Sequence, residues 1–193
     1  MILYNQIEYN GYQINIFYDD NADSPRETYD NLGTLYTAHR YYRPEKELED
    51  HFDIDNVFEG DTDNFRESFL KEYVALPVYL YEHGGITVST SPFSCPWDSG
   101  LFGIIAVSLD TVREEYGWKY ITANRRKKIE SYLQNEIKTL DDYYTGEVFG
   151  YRITTKDNKD NELESGWGYY GIESVKELET ECRHIIDRLN KAA

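Results

Sequence analysis

The sequence predicts an α+β protein, a mostly antiparallel sheet with helices packed on one face, forming a single domain over residues 1–193. Three observations carry that prediction. Short segments that alternate apolar and polar residues come in pairs around glycine turns; two longer segments repeat apolar residues every three or four positions; and 193 residues suffice to enclose one substantial core. Rings rather than aliphatic chains fill much of the apolar share, with 19 Tyr and 8 Phe. A tyrosine is apolar along its body and polar at its tip, which suits half-buried sheet faces and interfaces alike.

Taken in order, LYNQIEY and YQINIFY flank Asn10-Gly11, a pair that accepts the positive φ angles of a tight hairpin turn. Residues 19–44 mix turn formers with aromatics and show no sustained period, so they read as an ordered loop with one helical turn, Gly33 being expected at positive φ. Asn64 is expected to cap a short helix over FRESFLKEYV, with Phe65, Phe69 and Tyr73 on one face. LPVYLYE and ITVSTS flank His83-Gly84-Gly85 as a second hairpin, and LFGIIAV, residues 101–107, reads as a buried central strand.

Between them, SPFSCPWDSG (91–100) reads as a rigid corner. Pro92 and Pro96 fix the backbone, Trp97 is expected to pack as a wedge, and Asp98-Ser99-Gly100 turns the chain into the next strand. Ser108 to Gly117 is a short helix with a serine cap and a terminal glycine. Thr122 to Tyr144 is the longest helix, with Ile129, Leu133, Ile137, Leu140 and Tyr144 on one stripe and Gly146 just beyond. EVFGYRITT is a strand, KDNKDNELES a polar turn region, and GWGYYG a glycine-aromatic strand or bulge. Ser174 to Asn190 closes the chain as an amphipathic helix with Val175, Leu178, Cys182, Ile185, Ile186 and Leu189 inward.

Charge is distributed unevenly. The net charge is −16; residues 1–100 hold 19 Asp and Glu against 6 Lys and Arg, leaving 17 against 14 for the rest. The acid peaks at Glu45, Glu47, Glu49, Asp50, Asp53, Asp55, Glu59, Asp61, Asp63 and Glu67, ten carboxylates against Lys46 and Arg66. Polyanions are repelled by such a face and basic grooves on other proteins are attracted, so direct nucleic-acid binding is not expected. The plainer reading of the same run is a solvated face that confers solubility. Arg125-Arg126-Lys127-Lys128 sits where cations oppose the helix dipole, and pairing with the acidic half of this or another copy is the simplest explanation, which a homodimer would also satisfy.

Catalytic signatures are sparse. Cys95 has His83 and Asp98 within fifteen residues, the ingredients of a thiol nucleophile, but the hairpin separates His83 from the corner. A calcium loop fails in detail, because from Asp53 the fifth and sixth places hold Val57 and Phe58, and from Asp61 they hold Phe65 and Arg66. No transition-metal spacing joins the histidines at 39, 51, 83 and 184, and no phosphate-binding glycine motif occurs, so neither metal nor cofactor is expected. Two distant cysteines and a start, MILYNQIEYN, without secretory features predict a reduced, cytoplasmic protein, and no apolar run approaches the ~20 residues of a membrane span.

The motifs SPRETYDNLGT (24–34), HGGITVSTSPFSCPWDSG (83–100), DDYYTGEVFGYRI (141–153) and GWGYYG (166–171) resemble, in that order, a family of small acidic proteins encoded by phages and other mobile elements. The resemblance implies an origin rather than a mechanism and carries no catalytic residues. Acidic proteins of such elements look like anti-CRISPR or anti-restriction inhibitors that occupy the basic groove of a host defence enzyme. The expected function is therefore a non-enzymatic inhibitor in a bacterial host cell, with the ten carboxylates as the partner-binding surface. The alternatives are a structural or housekeeping phage protein whose acidity serves solubility, and a hydrolase using Cys95 or a carboxylate-bound metal.

Overall fold

The structure is a computed structural model describing residues 1–60 and 63–192. In chain order the elements are β1 (Leu3–Tyr9), β2 (Tyr12–Tyr18), α1 (Pro25–Thr28), β3 (Thr34–Thr37), β4 (Lys46–Glu47), α2 (Ile54–Val57), α3 (Glu67–Leu70), β5 (Tyr73–Glu82), β6 (Ile86–Ser89), β7 (Ser99–Ser108), α4 (Leu109–Tyr116), α5 (Ala123–Thr145), β8 (Val148–Thr155), β9 (Asn158–Tyr170) and α6 (Ser174–Ala192). Helix and strand each account for about a third of the chain and the sheets are antiparallel apart from one short pairing, which is the α+β class the sequence predicts. The strands form two sheets, in two compact units: one from Met1–Ser24 with Asp142–Ala193, the other from Pro25–Asp141. The second crossing between units falls inside α5.

The first unit carries the sheet β1-β2-β8-β9. Its hairpin closes as expected: Tyr9 faces Tyr12, and Asn10 and Gly11 take φ of 48° and 85°, the pair of left-handed residues that a two-residue turn between twisted strands requires. One face is sealed by α6, whose Val175, Leu178, Cys182, Ile185 and Ile186 pack with Ile14, Ile16, Phe149, Tyr151 and Ile153. Burial pushes the Cys182 thiol up to about 12, so it serves as a small apolar group. The stretch expected as a polar turn region is instead mostly strand, because β9 begins at Asn158. Register shifts at three points let an edge strand with little apolar alternation stay paired to β8.

The second unit carries the sheet β4-β3-β7-β5-β6, with β7 central and all of its residues from Phe102 to Val107 buried. Helix α4 is capped at Ser108, whose hydroxyl accepts from Thr111 N at 3.0 Å, and ends at Gly117 with φ of 63°. Helix α5 buries Ile129, Leu133, Ile137 and Leu140, as its period predicts. It is also pinned along its length. The Arg126 guanidinium donates to the carbonyls of Tyr73 and Leu70 at 2.9 and 2.6 Å, and Val88 N donates to the Asp141 carboxylate at 2.8 Å.

Two expectations are corrected in this unit. Gly33 does not lie in the left-handed region; a Cβ there would stand 2.4 Å from Leu133 Cδ2 and 2.8 Å from Ile105 Cγ1, so helix and sheet close over it and leave no room for a side chain. The helix expected over FRESFLKEYV shrinks to α3, preceded by Arg66 rather than Asn64 at its cap, and Tyr73 already belongs to β5. The spacing of Phe65, Phe69 and Tyr73 reflects a stack of rings, with centroids 5.7 and 4.8 Å apart, that runs across the helix–strand junction. Phe69 also joins Leu48, Val57 and Phe58 against Ala75, Ile104 and Ala106 in a second cluster. Among the described residues no helix is long and apolar enough to cross a membrane.

Candidate functional site

The described acidic candidates lie in the second unit, on the stretch that runs from Glu45, just ahead of β4, to Glu67 at the start of α3. Apolar residues fix that segment in place: Leu48, Val57 and Phe58 are buried, while the carboxylates between them point outward. The carboxylates differ in what they do. Glu45 turns toward Arg26, whose side chain is only 1 % exposed; the guanidinium donates to Glu45 Oε2 from Nη2 at 2.6 Å and from Nε at 3.1 Å, and from Nη1 to Glu136 Oε2 at 2.9 Å. The same two carboxylates accept backbone N–H groups, Leu35 N at 2.9 Å on Glu45 and Leu32 N at 2.8 Å on Glu136. Glu45 is thus part of a structural ion-pair cluster rather than of a solvated face.

Glu47 is half-buried and pairs with Arg43. Glu49 and Asp50 stand exposed in the turn that follows. Asp53 caps α2, accepting from Asp55 N at 3.1 Å and from the Asn56 amide at 3.2 Å, and Asp55 is exposed in the first turn. Glu59 is exposed with its N–H bonded to Asn64 O at 2.9 Å. Asp63 accepts the Tyr79 hydroxyl; burial first, then the hydrogen bond and charge of Asp63, push that phenol up to about 12. Glu67 makes an exposed pair with Lys71 at 3.0 Å. Asp61 lies outside the described residues, as does part of the rejected calcium loop. Among the described residues no three His, Cys, Asp or Glu side chains converge as a metal site requires.

The SPFSCPWDSG corner is where the structure departs furthest from expectation. Trp97 is no wedge; its residue surface is 91 % exposed. The register of β5 on β7, with Tyr81 opposite Ser99, brings His83 back to the corner despite the intervening hairpin, and His83 Nδ1 lies 3.3 Å from Asp98 Oδ2. Cys95 Sγ contacts that same Asp98 oxygen at 3.6 Å. Imidazole and thiol therefore each meet the carboxylate, whereas a nucleophilic cysteine needs the imidazole at the sulfur. The corner is held by these contacts, by the Ser99 hydroxyl on Cys95 O, and by Glu82 N donating to Asp98 O at 2.8 Å.

The basic run at the start of α5 is likewise resolved differently. Arg126 is spent on backbone carbonyls, and the Arg125 guanidinium sits 4.6 Å from the Trp118 ring centroid and donates to Tyr120 O at 2.7 Å. Lys128 Nζ lies 5.6–5.9 Å from the rings of Tyr116, Trp118 and Tyr132. Within the chain, Arg125, Arg126 and Lys128 thus meet aromatic faces and carbonyls. The sequence signal for this arrangement was the ring pair around Gly117 together with Tyr132 four residues after Lys128.

No protein-family model matches the chain, and no match is found among curated proteins or solved structures.

Proposed function

We propose that this protein is a non-enzymatic inhibitor, from a phage or other mobile element, that binds a host nucleic-acid-handling defence protein through its acidic segment, with a CRISPR–Cas effector as the foremost target and a restriction enzyme next. One observation supports this above the others. Glu49, Asp50, Asp53, Asp55, Glu59 and Glu67 stay exposed on a segment whose intervening apolar residues are packed into a core cluster. Carboxylates held on such a scaffold offer fixed anionic partners to Lys and Arg arrays built for phosphate, and a net charge of −16 steers association with them. The corner geometry at Cys95 gives no support to the hydrolase alternative.

The test is DNA cleavage by purified Cas effectors and restriction endonucleases with and without the protein, alongside a variant carrying Asp53→Lys, Asp55→Lys, Glu59→Lys and Glu67→Lys. Inhibition by the native chain that fades toward about half-molar salt, where screening acts over a few ångströms, and that the folded variant lacks, is the expected result. Equal inhibition by native chain and variant overturns the acidic-surface reading. No inhibition of any of these enzymes moves the assignment to a housekeeping protein whose acidity serves solubility.

A further inference from the structure

The most exposed large apolar side chain among those described is Trp97, and it stands on the corner between β6 and β7. Pro92 and Pro96 restrict the backbone leading into it, Phe93 packs on Tyr81 with ring centroids 5.6 Å apart, and Asp98 ties His83, Cys95 and the Glu82 amide together. An indole presented this way loses little conformational entropy on being covered, which is what a binding anchor requires.

Beside it lies an apolar hollow of about 700 Å³ whose walls include Ile54, Phe58, Tyr79, Phe93 and Leu101. Ile54 and Leu101 are 38 % and 40 % exposed, so the hollow opens to solvent. Ser99, Gly100 and Leu101 line both this hollow and the smaller one that Trp97 borders, which makes indole and hollow one continuous surface. Carboxylates edge it: Asp63 on the large hollow, Glu82 and Asp98 on the small one, and Asp53 and Asp55 flanking Ile54 in sequence. An apolar centre inside a charged rim is the anatomy of a protein interface, and a rim of one sign selects a partner of the other.

We propose that Trp97 and this hollow form the docking centre of the acidic surface, taking a basic protein surface that places an apolar side chain in the hollow and arginines over the indole and against the rim. This rests on the reading of the protein as a binder of basic grooves, and adds that affinity is anchored by the corner while the carboxylates supply steering. The probe is a synthetic peptide, acetyl-Arg-Arg-Leu-Arg-Arg-Leu-Arg-Arg-amide, compared with its Leu→Ser counterpart, titrated into the native chain, Trp97→Ala, and the four-lysine variant. Because Trp97 is so exposed, Trp97→Ala should melt as the native chain does, and circular dichroism checks that.

The expected result is about a tenfold or greater rise in Kd for Trp97→Ala, a comparable rise on Leu→Ser in the peptide, and shifts of the Trp97 indole and Leu101 methyl resonances. Equal affinity of native chain and Trp97→Ala for both peptides overturns the anchor; if the four-lysine variant then binds more weakly, the basic-groove reading survives without it. Failure of the native chain to bind either peptide counts against both.

Discussion

The two ends of the acidic segment carry the same side chain to opposite ends. Glu45 meets a guanidinium that is 1 % exposed and shares it with Glu136; Glu67 meets Lys71 where both side chains are more than two-thirds exposed. The first pair sits where the dielectric is low and the loss of one partner leaves a charge with nowhere to go, whereas the second is screened by water on every side. Counted from sequence they are equal members of one run. In the structure one holds the fold and the other stands in solvent.

The largest effect should come from the Glu45 end. Arg26→Met leaves two carboxylates facing each other without their cation, and a loss of ~3–5 kcal/mol in urea denaturation is expected. Glu136→Gln keeps the shape but weakens acceptance from Arg26 and the Leu32 and Gly33 amides, for which ~1–3 kcal/mol is expected. Losses below ~1 kcal/mol for Arg26→Met would mean that the two ends do not differ as described.

Asp63 and Tyr79 sharpen the contrast through pH. The Tyr79 phenol is raised in the fold, from 10.0 to about 12, with burial as the main cause. A raised group contributes stability that is complete below its unfolded value and is lost as pH climbs through the folded one. Stability should therefore fall between about pH 10 and 12, and Tyr79→Phe should flatten that part of the profile measured by thermal melting. A native profile unchanged by the substitution would show that burial and Asp63 together do not hold the phenol protonated as described.

The smallest effects belong to the exposed carboxylates. Asp53→Ala should cost ~0.5–1 kcal/mol through the lost cap on α2, and Glu67→Gln less than ~0.5 kcal/mol. In binding the order should invert, with Asp53 and Glu67 contributing to salt-dependent affinity; denaturation and salt titration on the same variants check both halves.

What was legible in the sequence follows from range. Hairpins β1–β2 and β5–β6, the central strand β7 and helices α4 to α6 are specified by residues near one another, through turn glycines, a serine cap and apolar periods. Strand β3 is four residues, TLYT, inside a turn-rich stretch, and β4 is two residues whose strand character comes only from pairing with β3. Arg26 is 19 positions from Glu45 and 110 from Glu136, so nothing local announces that Glu45 belongs to a structural cluster. The Trp97 corner failed for a related reason. Two prolines do signal rigidity, but whether the ring that follows them meets a neighbour depends on surfaces built by distant segments.

The arrangement of the first unit has a consequence for synthesis. Strand β2 is completed on one side by β8, and the 129 residues between Tyr18 and Val148 must be made before that pairing exists. At ~5–20 residues per second this is on the order of ten seconds on the ribosome, during which the hairpin β1–β2 has neither its neighbouring strand nor the cover of α6. An isolated two-stranded hairpin is marginal in water, while residues 25–141 emerge as one contiguous stretch with a sheet and core of their own. Residues 25–141 thus acquire order ahead of their flanks, and residues 1–18 are secured only once β8 and α6 have followed.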